Sequence, residues 1–329
     1  MRVLVTGGTS LLARRTAEAL LARGDEVVLL QRHPSPLDTH QVLADIRDAD
    51  AVLRAADGCD AVVHAAAKVG VVGAEADYRG INVDGTANVI AAARLHGASR
   101  MVHVSTPSVA HAGHSLVGAG AEAPVTGRTT AWYPETKAVA ERLALGASSD
   151  AFGVVAVRPH LVWGPGDTQL VGRIVERARA GRLALVGGGT ALVDTTYIDG
   201  AASALVAALD AAVPGARCSG RAYVVANGEP RPIRELVLGI CRAAGVDASP
   251  REVPLRAALA MGGLVERAWR IARRTDEPPL TRFLAEQLGT AHWFDPRPAR
   301  DDLGWTSPVS IDDGLARLAE WYAAGAPPV

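Results

Sequence analysis

The sequence predicts an α/β fold, a doubly wound parallel sheet with a smaller, helix-rich C-terminal lobe. Three observations carry this reading. A short apolar strand runs directly into the glycine turn Val5-Thr6-Gly7-Gly8-Thr9-Ser10-Leu11. Apolar runs of strand length then alternate with helical stretches through the first half of the chain. Beyond Pro159 that alternation loosens into turns and helix-rich sequence.

In chain order, residues 3–6, 26–30, 61–64, 101–105 and 154–157 read as buried strands, with 16–22, 83–95 and 138–145 as helices between them. Strands that alternate with helices build a parallel, Rossmann-type sheet. Gly164-Pro165-Gly166 and Gly187-Gly188-Gly189 are turns, 222–226 is one further strand, and the sequence from about Pro230 is helical, interrupted at Pro278-Pro279. The expected division is a cofactor-binding unit over 1–160, with a returning part at 197–226, and a substrate-binding lobe from 161–196 and 227–329.

At 329 residues the chain can bury a large core without staples. Its net charge is −1 and it has no basic block, which excludes a nucleic-acid footprint. Cys59, Cys218 and Cys241 are scattered without ligand spacing, as in a reducing compartment. The start Met1-Arg2-Val3-Leu4 does not read as a signal peptide, and no run of about 18 apolar residues offers a membrane span. The expectation is a cytoplasmic protein.

The glycine turn defines the first candidate site. In such a turn the first glycine bends the chain, the second lets the backbone approach a pyrophosphate, and the third lets helix pack on strand. Gly7 and Gly8 supply the bend, Thr9, Ser10, Leu11 and Leu12 lead into the helix N-terminus that would face the phosphates, and Ala13 takes the packing position. Ser10 is the departure, and its hydroxyl can donate to a phosphate oxygen. The second strand ends in Leu30-Gln31-Arg32-His33, with no acid for a ribose 2′-hydroxyl. Arg32 suits a 2′-phosphate, so NADP(H) is favoured and NAD(H) is possible. The plainer alternative makes Arg32 a solvated surface residue.

The second constellation is Tyr133-Pro134-Glu135-Thr136-Lys137. Residues four apart share a helix face, so a phenol and an ammonium enter one cleft. Of 34 basic residues only two are lysines, Lys68 and Lys137. A compact ammonium at 137 is expected to lower the phenol pKa from its usual value of about 10 and to reach a ribose hydroxyl. The alternative is a packed tyrosine beside a solvated lysine.

Together with Asp45-Ile46, Asp60-Ala61-Val62-Val63-His64-Ala65-Ala66, Asn82-Val83-Asp84-Gly85-Thr86, Ser105-Thr106 and Arg158-Pro159, these pieces resemble the extended short-chain dehydrogenases/reductases. The resemblance implies Tyr133 as general acid/base, Lys137 holding the nicotinamide ribose, and Thr106 hydrogen-bonding the substrate oxygen, with Ser105 as the fallback. It implies cofactor contacts from Asp45 and Ile46 at the adenine, from Ala65, Ala66 and Ala67, and from Pro159, His160 and Val162. It also implies a homodimer through a four-helix contact.

Finer stretches, His64 to Gly70, Arg158 to Asp167, Leu192 to Asp199 and Glu277 to Phe283, resemble the bacterial 3β-hydroxysteroid dehydrogenase-like branch, which includes reductases of 2-alkyl-3-keto acids and sterol-4α-carboxylate 3-dehydrogenases. The implied activity is NAD(P)(H)-dependent interconversion of a secondary alcohol and a ketone on a small hydrophobic substrate. Ser10, Ala13 and Gly200 depart from the pattern.

Two other readings stay open. A nucleotide-sugar epimerase or dehydratase would carry an Asp-Glu pair where Pro107-Ser108 stand, and an arginine where Val193 stands. A catalytically silent cofactor sensor would tolerate loss of Thr106, Tyr133 or Lys137. Lys68, at the expected carboxyl end of a strand, is a candidate for a substrate carboxylate or a plain loop lysine. His111 and His114 lack a clear third ligand, so no metal is assigned. Finally, Leu255, Leu259, Val265 and Trp269 share a helix with Arg256, Arg267, Arg270, Arg273 and Arg274, a pattern that fits either a membrane-surface helix or a lid over an apolar pocket.

Overall fold

A computed structural model of the chain describes residues 1–70, 73–110, 115–125, 131–272, 274, 276 and 278–326. Seven strands form one sheet: β1 (Arg2–Thr6), β2 (Glu26–Gln31), β3 (His40–Leu43), β4 (Ala61–His64), β5 (Arg100–Val104), β6 (Gly153–Pro159) and β7 (Arg221–Val225). All neighbours are parallel and the spatial order is β7-β6-β5-β4-β1-β2-β3. The order reverses between β1 and β4, and open α/β sheets bind ligands in the crevice outside such a switch point.

Both faces of the sheet are covered, which is why its strands read as continuous apolar runs. Val3, Val5, Val27, Leu29 and Val63 pack on one face, against Ala13, Ala17 and Leu20 of α1 (Leu11–Ala22). The alternate residues Leu4, Val28, Leu30 and Val62 pack on the other, against Val52 of α2 (Ala49–Ala56) and Val89 of α3 (Gly85–Leu95). The period-two strand geometry thus feeds two cores from one sequence. Helix α4 (Trp132–Gly146) lies over the second face, and α5 (Ile198–Ala211) returns to the first, packing on α1.

A smaller sheet joins Arg231–Pro232, Leu192–Val193, His292–Phe294 and Leu116–Ala119. Leu116–Ala119, before residue 160 in sequence, therefore pairs with a segment near the C-terminus. A third core gathers Trp163, Ile174, Leu185, Leu236 and Ile240 beneath helices Val171–Arg179 and Ile233–Ala243. Among the described residues no helix is long and apolar enough to cross a membrane.

Candidate active site

The turn after β1 approaches the turn after β4 so closely that side chains do not fit. Gly7 has φ +76°, and a Cβ there would lie 2.9 Å from the Ala66 backbone. At Gly8 the space is taken by Gln31, whose Oε1 would lie 2.2 Å from a Cβ. Ser10 is the N-cap of α1, its Oγ accepting the Ala13 N–H at 3.3 Å. Its oxygen is therefore engaged by the helix, a capping role that the sequence reading passes over. Ala13 is fully buried against the sheet, as a packing residue must be.

A crevice opens above this turn. Gly7, Thr9, Ser10, Arg32, Asp45, Ile46, Ala65, Ala66, Ala67 and Lys68 all line it, together with Leu30, Gln31, Ala44 and Ile81. Arg32 is exposed at its edge, and its charge acts on Asp45, whose carboxyl is held down to about 2 chiefly by hydrogen bonds from Arg47. Of the remaining cofactor candidates, Leu11 and Leu12 are not among the crevice-lining residues and pack, partly buried, against the third core. His160 is buried, its Nδ1 2.5 Å from the Asp194 carbonyl oxygen and its ring edge-on to His292 and Phe294. It sits at the junction of the two sheets. Pro159 closes β6, and Val162 starts the two-residue strand that follows.

Beneath the crevice runs a buried polar chain. Ala66 N–H donates to Thr6 Oγ1 at 3.1 Å, and Thr6 Oγ1 stands 2.8 Å from His64 Nδ1. His64 Nε2 stands 2.9 Å from Thr86 Oγ1, which donates to the Asn82 carbonyl at 2.6 Å. Because Thr86 spends its proton on that carbonyl, His64 must donate through Nε2 and accept through Nδ1. Burial, and secondarily the Lys137 charge, holds His64 down to about 3, so it is neutral. The Asn82 side chain then ties the crevice wall to α4, accepting Lys68 N–H at 2.7 Å and donating to the Lys68 carbonyl at 3.1 Å and Thr136 Oγ1 at 3.0 Å. Asn82 sits in a π-helical turn, Gly80–Asp84, a local widening frequent at functional sites.

Thr136 is one turn into α4, and the turn it anchors presents Tyr133. The Tyr133 phenol is hydrogen-bonded to the Thr106 side chain, and burial raises its pKa to about 12 against the opposing effect of that bond. Thr106 opens the short turn after β5, where its Oγ1 also accepts Ser108 N–H at 3.3 Å. Ser105 lies in the interior, with its Oγ unpartnered among the described residues. The structure therefore brings Thr106, not Ser105, to Tyr133.

Lys137 departs from the expectation. Its ammonium is buried and directed to β5, donating to the Val104 carbonyl at 2.6 Å and standing 3.2 Å from His103 Nε2. The phenol is raised rather than lowered, because desolvation outweighs everything else acting on it. Burial also lowers Lys137, to about 8, against the favourable field of Glu141. Glu141 in turn makes a two-pronged ion pair with Arg158, at 2.8 and 2.5 Å, with both side chains in the interior. His103 is missed by sequence reasoning, although a histidine inside the apolar run Arg100 to Val104 is a visible signal.

Lys68 lines the cofactor crevice, its Nζ 3.6 Å from Asp77 and 5.1 Å from the Tyr78 ring centre. An apolar cavity of about 170 Å³ opens beside Leu161, the residue after His160, between Ile174, Leu185, Leu236 and Leu288. A second, of about 460 Å³, shares Arg173, Arg177 and Leu288 with it and extends to Met261 and Leu280. His111 and His114 lie outside the described residues, and among those described no cluster of three His, Cys, Asp or Glu could hold a metal.

A parallel sheet with a glycine crevice at its switch point and a Thr-Tyr pair beside it defines a dinucleotide-dependent oxidoreductase. Residues 3–226 match the NAD dependent epimerase/dehydratase family, and the chain belongs to that family. It is 47% identical to a 2-alkyl-3-oxoalkanoate reductase of Stenotrophomonas maltophilia, over 98% of this chain and 100% of the relative. It is 31% identical to a 3-beta-hydroxysteroid dehydrogenase of Mycolicibacterium neoaurum, over 98% and 91%. Among solved structures, UDP-glucose 4-epimerase of Thermotoga maritima superposes with a TM-score of 0.73 at 17% identity, covering 99% of this chain and 100% of that one. That last likeness speaks for the fold alone. The chain is an oxidoreductase acting on CH–OH groups, interconverting a secondary alcohol and a ketone.

Proposed function

We propose that the protein reduces 3-oxo acids bearing an alkyl branch at C2 to the corresponding 3-hydroxy acids, with NADP(H) as preferred cofactor. The observation that carries this reading is the full-length 47% identity to a 2-alkyl-3-oxoalkanoate reductase. The apolar cavity beside Leu161 supplies room for an alkyl chain.

The crevice fits a dinucleotide. Its floor is too tight for any Cβ at Gly7, α1 turns its N-terminus and no first-turn acid towards it, and Arg32 edges the side remote from Tyr133. Gly7, Thr9 and Ser10 would hold the pyrophosphate, Asp45 and Ile46 the adenine, and Arg32 a 2′-phosphate. A bound nicotinamide supplies the hydride that the ketone carbon accepts. Tyr133 gives its proton to the ketone oxygen as that hydride arrives, and Thr106 orients the oxygen. A phenol raised to about 12 keeps its proton at neutral pH, the state that reduction requires.

Lys68 is the counter-charge proposed for the substrate carboxylate. Its present partner Asp77 is half-exposed, and a lone exposed pair of this kind contributes little, so an acid can compete for the ammonium. The test is a panel of 2-alkyl-3-oxo acids, their methyl esters, 3-oxosteroids and a UDP-sugar, followed by oxidation of NADPH. The acid should turn over fastest, and Lys68→Ala should raise its KM while sparing the ester. A steroid preferred over every acid would reject the substrate, and equal effects on acid and ester would reject Lys68.

A further inference from the structure

The helix Leu255–Ile271 is apolar on two opposite sides. One side is used inside the protein: Ala258 is fully buried against Ala285, and a Cβ on Gly262 would stand 2.6 Å from the Thr281 carbonyl carbon. The other side faces outwards. Met261, Leu264 and Ile271 are 46%, 69% and 74% exposed, and Ala257 and Ala268 continue the same line at spacings of three and four. The stripe is about 20 Å long at the helical rise.

Exposed Arg256 and Arg267 flank it, and among the described residues neither makes an ion pair. Just beyond the helix, Arg274 is balanced by Asp276, as Arg297 is by Asp295. Glu266, the acid of the helix, is turned inwards, accepting Arg282 N–H at 2.8 Å.

A contiguous apolar stripe of this length left on the outside marks an interaction surface, so this face lacks its cover. Large apolar side chains flanked by cations, with no facing acid among the described residues, match a helix lying in a lipid interface. A second copy of the chain is a poorer cover, since a two-fold contact on this stripe would bring like-charged arginine rims together. We propose that helix Leu255–Ile271 docks on an anionic bilayer surface, with Met261, Leu264 and Ile271 among the acyl chains and Arg256 and Arg267 at the headgroups. Met261 also lines the larger of the two cavities, beside Ala258 and Leu280, so the docked face adjoins it.

The test is co-sedimentation of the full chain with vesicles of phosphatidylcholine alone and of phosphatidylcholine with phosphatidylglycerol. The protein should partition at least tenfold more strongly to the anionic vesicles, less so as salt is raised. Leu264→Glu/Ile271→Glu should lose at least tenfold of that binding with an unchanged circular dichroism spectrum and unchanged mass in solution. If that variant misfolds, Arg256→Gln/Arg267→Gln carries the test with the same expected loss. Wild-type protein left in the supernatant at low salt, or variants that bind like wild type, would overturn the proposal. So would a double variant that changes only the oligomeric state, because the stripe would then be an interface between copies.

Discussion

Lys137 Nζ stands 3.2 Å from His103 Nε2, and both side chains are shut away from solvent. The pair joins α4, which carries Tyr133, to β5, which leads into Thr106. Accepting from an ammonium forces His103 to carry its own proton on Nδ1, which has no partner in the interior. Burial, and secondarily the Lys137 charge, holds His103 well below its usual pKa, so it remains a neutral acceptor.

This arrangement sets the pH dependence. Lys137 is lowered to about 8 and Tyr133 is raised to about 12, so as pH rises the ammonium loses its charge first. The kcat/KM for the reduced cofactor, which reports the free enzyme, should be level below about pH 7 and fall above about pH 8. Initial rates across that range measure it. In Lys137→Met the alkaline limb should vanish along with most of the activity, and a limb that survives the substitution belongs to another group.

Glu141 and Arg158 form a buried, two-pronged pair whose remaining guanidinium nitrogen, Nη1, donates to the Glu122 carbonyl at 2.8 Å. Glu141→Gln strands a buried cation and should cost about 3–5 kcal/mol of stability. It should also move the alkaline limb below 8, since Glu141 supports the Lys137 charge. The double variant Glu141→Leu/Arg158→Met should recover part of the loss. Chemical denaturation of the three proteins checks this, and a double variant less stable than Glu141→Gln would mean that the two residues do not act as a pair.

Arg32→Ala should weaken NADPH binding by about 10- to 100-fold, the worth of charge-assisted hydrogen bonds to a phosphate, and leave NADH nearly unchanged. Calorimetric affinities for the two cofactors decide it. Equal losses for both would assign Arg32 to the solvated surface.

Much of the sheet was legible because buried parallel strands advertise themselves as apolar runs, as in residues 26–30 and 154–157. His40–Leu43 was passed over: it is a four-residue edge strand, half-exposed, with no period to read. Tyr133 and Lys137 were legible as a pair because helical spacing is local. The acceptors of Lys137 were not, since they lie on a strand more than thirty residues earlier in the chain. Asn82 likewise draws its meaning from partners 14 and 54 residues away, brought together by a π turn that no spacing announces. Ser10 reads in sequence as a departure from a glycine motif with a hydroxyl for a phosphate, and its β-region backbone and Oγ also make it the helix cap.

Proton donation by Tyr133 to a ketone oxygen is the centre of the account, and Tyr133→Phe isolates it by deleting the hydroxyl with little change in volume. The direct measurement is single-turnover oxidation of bound NADPH on adding a 2-alkyl-3-oxo acid, with cofactor affinity determined on the same samples. The account predicts unchanged NADPH affinity and a hydride-transfer rate lower by about 10²- to 10⁴-fold, the usual worth of a general acid. Wild-type rates in the variant would contradict it.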